Sequence, residues 1–200
     1  MFRLFFILFI AALSVGCAPT KTPMTLEEMD AALAANQREA TRIYPGKSAD
    51  EVRQAAQKVL YLLDPSDIEF DVAENELMAT RWSTYYAVFM VGFGRDWYSV
   101  ELADVENGTA ARFGFAGEMY SSMFVSPIPV SFKSNIAISA HQNPMDFRLF
   151  HDRVEYLLGL RDDWPTCEMA KKQAINGRKE LFLCDQIGLE NKTPDVLTGS

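Results

Sequence analysis

The chain changes its hydrophobic period twice. From residue 25 the apolar positions Leu26, Met29, Leu33, Ala40 and Ile43 recur on one side of a helical wheel, and Thr25 with Glu28 forms a capping-box pair in front of them. The spacing predicts a helix to about Tyr44, ended by Pro45-Gly46. A second such pair, Ser48 and Glu51, opens a second predicted helix striped by Val52, Ala55, Ala56, Val59, Leu60 and Leu63. After Asp64-Pro65-Ser66-Asp67 the period falls to two. Ile68, Phe70 and Val72 alternate with Glu69 and Asp71, as in a strand with one buried face.

Strand-like runs follow over residues 77–84, 85–93 and 97–105, rich in aromatic and β-branched side chains. Gly92-Phe93-Gly94 reads as a turn between the last two; without a third glycine or a following helix it does not form a dinucleotide cradle. Asn107-Gly108 supplies the residues of a tight hairpin turn, so 97–105 is expected to pair antiparallel with 109–118. The segment 123–132 holds Pro127 and Pro129, which cannot donate to a ladder, and predicts an edge strand or an irregular crossing. Helical spacing returns after Pro144 with Met145, Leu149, Val154, Leu157, Leu158 and Leu160, with Gly159 near the end. The tail predicts a short helix after Cys167, an Asn176-Gly177 turn and an extended run Leu181-Phe182-Leu183.

Helices, then grouped strands, then helices define an α+β class: a single domain over residues 25–200 whose antiparallel β-sheet is covered by N-terminal and C-terminal helices. The 200 residues are 48% hydrophobic and 12% aromatic, enough to bury the core of one domain.

What precedes that domain points to a compartment. Met1-Phe2-Arg3 carries one positive charge, and residues 4–13 form an apolar run of the length of a secretory h-region, too short to span a bilayer. The run closes on Leu13-Ser14-Val15-Gly16-Cys17 and the Pro-containing stretch after it. This resembles the lipobox of bacterial lipoproteins, departing from its commonest form in having Ser14 where Leu is usual. The resemblance covers only the leader. It implies a signal peptide over 1–16, lipidation of Cys17 by diacylglycerol and usually an N-acyl chain, and a tether over 17–24. With Ala18 after the cysteine, it implies an outer-membrane anchor facing the periplasm. Several acyl chains make such an anchor stable, because each buried CH₂ contributes about 0.8 kcal/mol.

Charge agrees with an anchor made of lipid and not of protein surface. The 27 acidic residues outweigh the 19 basic ones, for a net −8, and loss of Arg3 with the leader makes it −9. Such a surface disfavours nucleic acid and anionic headgroups. With Cys17 taken by lipid, Cys167 and Cys184 remain as a pair expected to form a disulfide in an oxidising compartment.

Candidate chemistry is sparse. The two histidines, His141 and His151, do not have the helical spacing of a metal pair, and no nucleophile-elbow motif is present, so no catalytic residue, cofactor or metal ligand is assigned. An acid–base role would need one of these histidines in a cleft beside Asp146 or Asp152. The density of aromatic residues between Trp82 and Phe132 is the remaining signal: if both faces of the sheet were aromatic, one would mark a ligand pocket or a partner surface. The expectation is a membrane-anchored envelope lipoprotein that is not an enzyme and acts as a protein-binding or assembly module. The alternative is a site for a lipid or small hydrophobic ligand between helices and sheet.

Overall fold

The computed structural model describes residues 24–87, 90–123, 138–139, 141–173 and 181–184. The leader, Cys17 and most of the tether lie outside them, as does nearly all of 123–132.

Helix α1 spans Leu26–Glu39 and opens on the expected capping box: the Glu28 amide donates to the Thr25 hydroxyl at 3.2 Å and the Thr25 amide to the Glu28 carboxylate at 2.8 Å. It stops five residues before Tyr44. Thr41–Pro45 is instead an edge strand, β1, paired antiparallel with residues 108–112. Tertiary bonds to the Ala40 carbonyl override the helical period: it accepts from the Phe113 amide at 2.8 Å and from His151 Nε2 at 2.9 Å. The alternation of a strand then buries Tyr44 completely and turns Ile43 outward, 56% exposed. Leu26, at the first turn of α1, also faces solvent.

Helix α2 spans Ala49–Tyr61, capped by Ser48 and Glu51 as the sequence predicts, and buries Val52, Ala55, Ala56, Val59 and Leu60. Strands β2 (Ile68–Val72), β3 (Glu76–Ala87), β4 (Met90–Val105) and β5 (Gly108–Met123) form an antiparallel meander. With β1 on the far side the sheet order is β1-β5-β4-β3-β2.

The meander has one break fewer than expected. Gly92-Phe93-Gly94 lies within β4, not at a turn, because Gly92 and Gly94 pair with Tyr85 and Ser83 on β3 and with Ser121 and Met119 on β5. A glycine flanked by partner strands on both sides has its backbone groups held in the ladder and is not free to turn. Residues 85–93 accordingly divide between β3 and β4, with 88–89 outside the described residues. The predicted hairpin of 97–105 with 109–118 is present, but its loop is Glu106-Asn107, since Val105 pairs with Gly108. Gly108 has φ +145°, and a Cβ there would collide with the Tyr44 carbonyl oxygen on β1. Its lack of a side chain admits the edge strand.

Helix α3 (Pro144–Leu157) begins at Asn143, whose side chain accepts from the Met145 amide at 3.1 Å. It ends in a Schellman motif: Gly159 at φ +70° donates to Tyr156 at 3.1 Å and Leu160 to Glu155 at 2.9 Å. Leu160 follows the left-handed residue out of the helical face and is exposed. Helix α4 spans Cys167–Gln173. The helices cover one face of the sheet, where Leu77, Tyr98, Val100, Phe113 and Phe115 meet Val52, Leu60, Phe147, Phe150 and Val154. The domain is therefore α+β, an antiparallel five-stranded sheet with four helices packed against it.

Cys167 and Cys184 are joined by a disulfide, with Cα atoms 5.7 Å apart. Leu181–Cys184 is a turn and not the expected extended run: the Cys184 amide donates to Leu181 at 2.9 Å and the Leu183 amide to Asp146 Oδ1 at 3.0 Å. The predicted Asn176-Gly177 turn lies outside the described residues. Closing a loop with a sequence separation of 17 limits the unfolded chain, and Cys184→Ser is expected to cost about 3 kcal/mol. Urea unfolding with and without reductant checks this, since reductant should lower the wild type to the level of the variant and leave the variant unchanged.

Candidate functional site

The structure gives His151 a packing role. It is fully buried on α3, with Nδ1 2.6 Å from the Tyr44 hydroxyl and Nε2 2.9 Å from the Ala40 carbonyl. A carbonyl only accepts, so Nε2 carries the proton and Nδ1 accepts from Tyr44. Burial holds the imidazole down at about 3, and drives the Tyr44 phenol far above its ordinary range. Both nitrogens are consumed in tying the α1–β1 junction to α3.

The carboxylates that an acid–base role would require beside it are engaged elsewhere. Asp146 is buried and accepts from Leu183, while Asp152 pairs with Arg161 at 3.1 Å and Arg42 at 3.6 Å. Burial raises Asp152 despite those two guanidinium groups. His141 is exposed, in the turn before α3. Among the described residues no three His, Cys, Asp or Glu side chains are grouped to hold a metal ion, and no helix is long and apolar enough to cross a membrane.

The aromatic residues divide between the two faces of the sheet, as strand alternation requires. Tyr98, Phe113 and Phe115 point to the helices, where Phe113 stacks on Phe150 at 3.8 Å and Phe115 on Phe182 at 4.7 Å. The described part of the helix–sheet interface is thus filled ring on ring.

The face away from the helices carries a second aromatic group. Phe93, Arg95 and Trp97 alternate along β4; across the register, Arg95 lies opposite Trp82 on β3 and Glu118 on β5. The Arg95 guanidinium carbon sits 4.8 Å from the Trp82 ring centre and 4.9 Å from that of Trp97. Each contact contributes about 0.5–1 kcal/mol at a partly exposed site, and together they hold a long cationic side chain in one place. Trp82 and Phe93 are 51% and 52% exposed. Arg95 Nε has no hydrogen-bond partner among the described residues. The arrangement presents apolar rings around a fixed cation, beside the mostly buried Glu118.

On the opposite face, Arg81 pairs with Asp96 directly across β3 and β4. Burial raises Asp96 against the lowering effect of Arg81, and Arg81 Nε and the Tyr98 hydroxyl have no hydrogen-bond partner among the described residues. Sequence reasoning singled out none of Arg81, Arg95 and Asp96. Their signal was the register: once β3 and β4 pair, residues 81 and 82 face 96 and 95.

The class defined at this point is an α+β domain whose five-stranded antiparallel sheet has one face under helices and one carrying exposed aromatic residues. The chain matches no known family model, curated protein or solved structure.

Proposed function

We propose that the chain is a membrane-anchored envelope lipoprotein, held by acyl chains on Cys17, whose domain is a non-catalytic protein-binding or assembly module working through the open face of its sheet. The observation that carries this reading is the half-exposed pair Trp82 and Phe93 around the immobilised Arg95. Trp and Arg are the residue types that dominate binding energy at protein interfaces, and rigid ones lose little entropy on association. The lipobox resemblance supports the anchor and its outer-membrane, periplasm-facing placement. The packed Phe113, Phe115, Phe147 and Phe150 favour a protein partner over a lipid or small hydrophobe between helices and sheet.

A photo-crosslinking residue at position 93 in cells is expected to trap one reproducible partner, and Trp82→Ala is expected to weaken that adduct at least about tenfold. Mass measurement of the same purified chain should show a diacylglyceryl-modified Cys17 at the mature N-terminus. An unmodified Cys17 removes the anchor; random adducts, or one indifferent to Trp82→Ala, remove the binding face.

A further inference from the structure

Strand β2 leaves one side of the sheet open. It pairs with β3 along Ile68–Val72, and among the described residues nothing pairs with its outer side. Among the described residues no hydrogen bond reaches its outward backbone groups, and an edge of this kind is a template for another strand. It has no proline and no bulge against that. What it has is charge: Glu69 and Asp71 are both exposed on the open face of the sheet, while Ile68 and Phe70 pack towards the helices and Val72 is 48% exposed.

On the helix side the edge borders a groove. Gln54, Gln57, Lys58 and Tyr61 follow the i, i+3, i+4, i+7 spacing of one stripe of α2, and with Phe70 they line a cavity of about 240 Å³. Tyr61 is 40% exposed. The helix is fixed over the hairpin by Arg53, which donates to the Ala73 and Glu74 carbonyls at 3.3 Å each and pairs with Asp50. The groove therefore exists before any partner arrives, which lowers the entropic cost of binding.

Charge selects the occupant. Two copies of β2 side by side would set Glu69 and Asp71 against the same carboxylates, and like charges opposite one another destabilise a strand pair. A strand with Lys or Arg at every second position neutralises them, and its intervening side chains then fall on the groove side. The geometry points to β-augmentation: an extended segment of a partner protein, alternating basic and apolar residues, adds to β2 as a sixth strand. Its apolar side chains enter the groove beside Tyr61 and Phe70, and its basic ones meet Glu69 and Asp71. This rests on the protein-binding reading for the nature of the partner, but uses a different surface from Trp82 and Phe93.

The test uses the full chain and an end-blocked probe peptide of about nine residues, within the usual strand length, alternating Lys and Val. The peptide is expected to slow amide exchange at residues 68–72. Binding is expected to fall at least about tenfold, near 1.4 kcal/mol, when alternate peptide amides are N-methylated or when the same residues are ordered in two blocks. Glu69→Lys with Asp71→Lys, both exposed, should transfer the preference to an alternating Glu and Val peptide. Equal binding of alternating and block peptides would overturn the proposal, as would unprotected β2 amides or an unchanged preference in the double variant. Protection of β2 that rises with protein concentration without peptide would assign the edge to a second copy instead. Failure here with the position-93 adduct intact removes the edge and leaves the aromatic face.

Discussion

Acidification from about pH 6.5 to 4 is expected to destabilise the domain by roughly 3 kcal/mol through His151, at about 1.4 kcal/mol per pH unit. The folded imidazole is held at about 3 by burial, whereas an unfolded histidine titrates near 6.5. Below about 6.5 the unfolded chain takes up a proton that the folded one refuses, so its population grows as pH falls, until the folded group also titrates. The carboxylates Asp96 and Asp152 act in the other direction, because burial raises them and the folded state binds their protons first. The contribution of His151 is therefore read as the difference in slope between the wild type and a variant without the imidazole, from about pH 6.5 to 5, where the unfolded histidine takes up its proton. Urea unfolding at intervals through that range should give a stability that falls more steeply with acidification for the wild type than for His151→Gln, whatever the variant's starting level. Parallel slopes would refute the assignment.

Phe150→Ala is expected to cost about 4 kcal/mol, within the usual range for a buried aromatic truncated to alanine. The ring is fully buried, lies 3.8 Å from Phe113 at an interplanar angle of 9°, and meets the His151 ring edge-on at 5.3 Å. Removing it opens a void between α3 and β5, with Phe113 bordering it, and interiors at crystal-like density refill such space only in part. Trp82→Ala provides the contrast. It removes a half-exposed ring and one cation–π contact, for about 1 kcal/mol. Denaturant midpoints for the two variants should separate clearly; similar losses would mean that the open face is as closed as the core.

Fold class was legible because the two periods are distinct. Ser48 and Glu51 capping α2, and the alternation Ile68-Glu69-Phe70-Asp71-Val72 in β2, are local signals that the tertiary structure reinforces. The misreadings fall where a long-range contact decides. Residues 41–45 have helical spacing on paper, but the Ala40 carbonyl is taken by Phe113 and His151, more than 70 residues away in sequence. Gly92 and Gly94 carry a turn-like composition and sit inside a strand because both neighbours pair with them. Leu181–Cys184 bends because Asp146 captures the Leu183 amide. At the candidate site the aromatic excess was visible in composition, but the placing of Arg95 between Trp82 and Trp97 needs the β3–β4 register, which no single segment contains.

The position of β1 in the sheet bears on the order in which the molecule assembles. Strands β2 to β5 follow one another closely in sequence and can zip together from neighbour to neighbour, whereas β1 pairs with β5 across more than 60 intervening residues. Closing that loop before the meander exists costs chain entropy with few contacts in return. Among the described strands β1 is thus expected to dock last, waiting with its unpaired edge until Gly108 and the α3 histidine are in place to receive it. Until it docks, Thr41–Pro45 is the described strand most in need of protection from wrong strand partners.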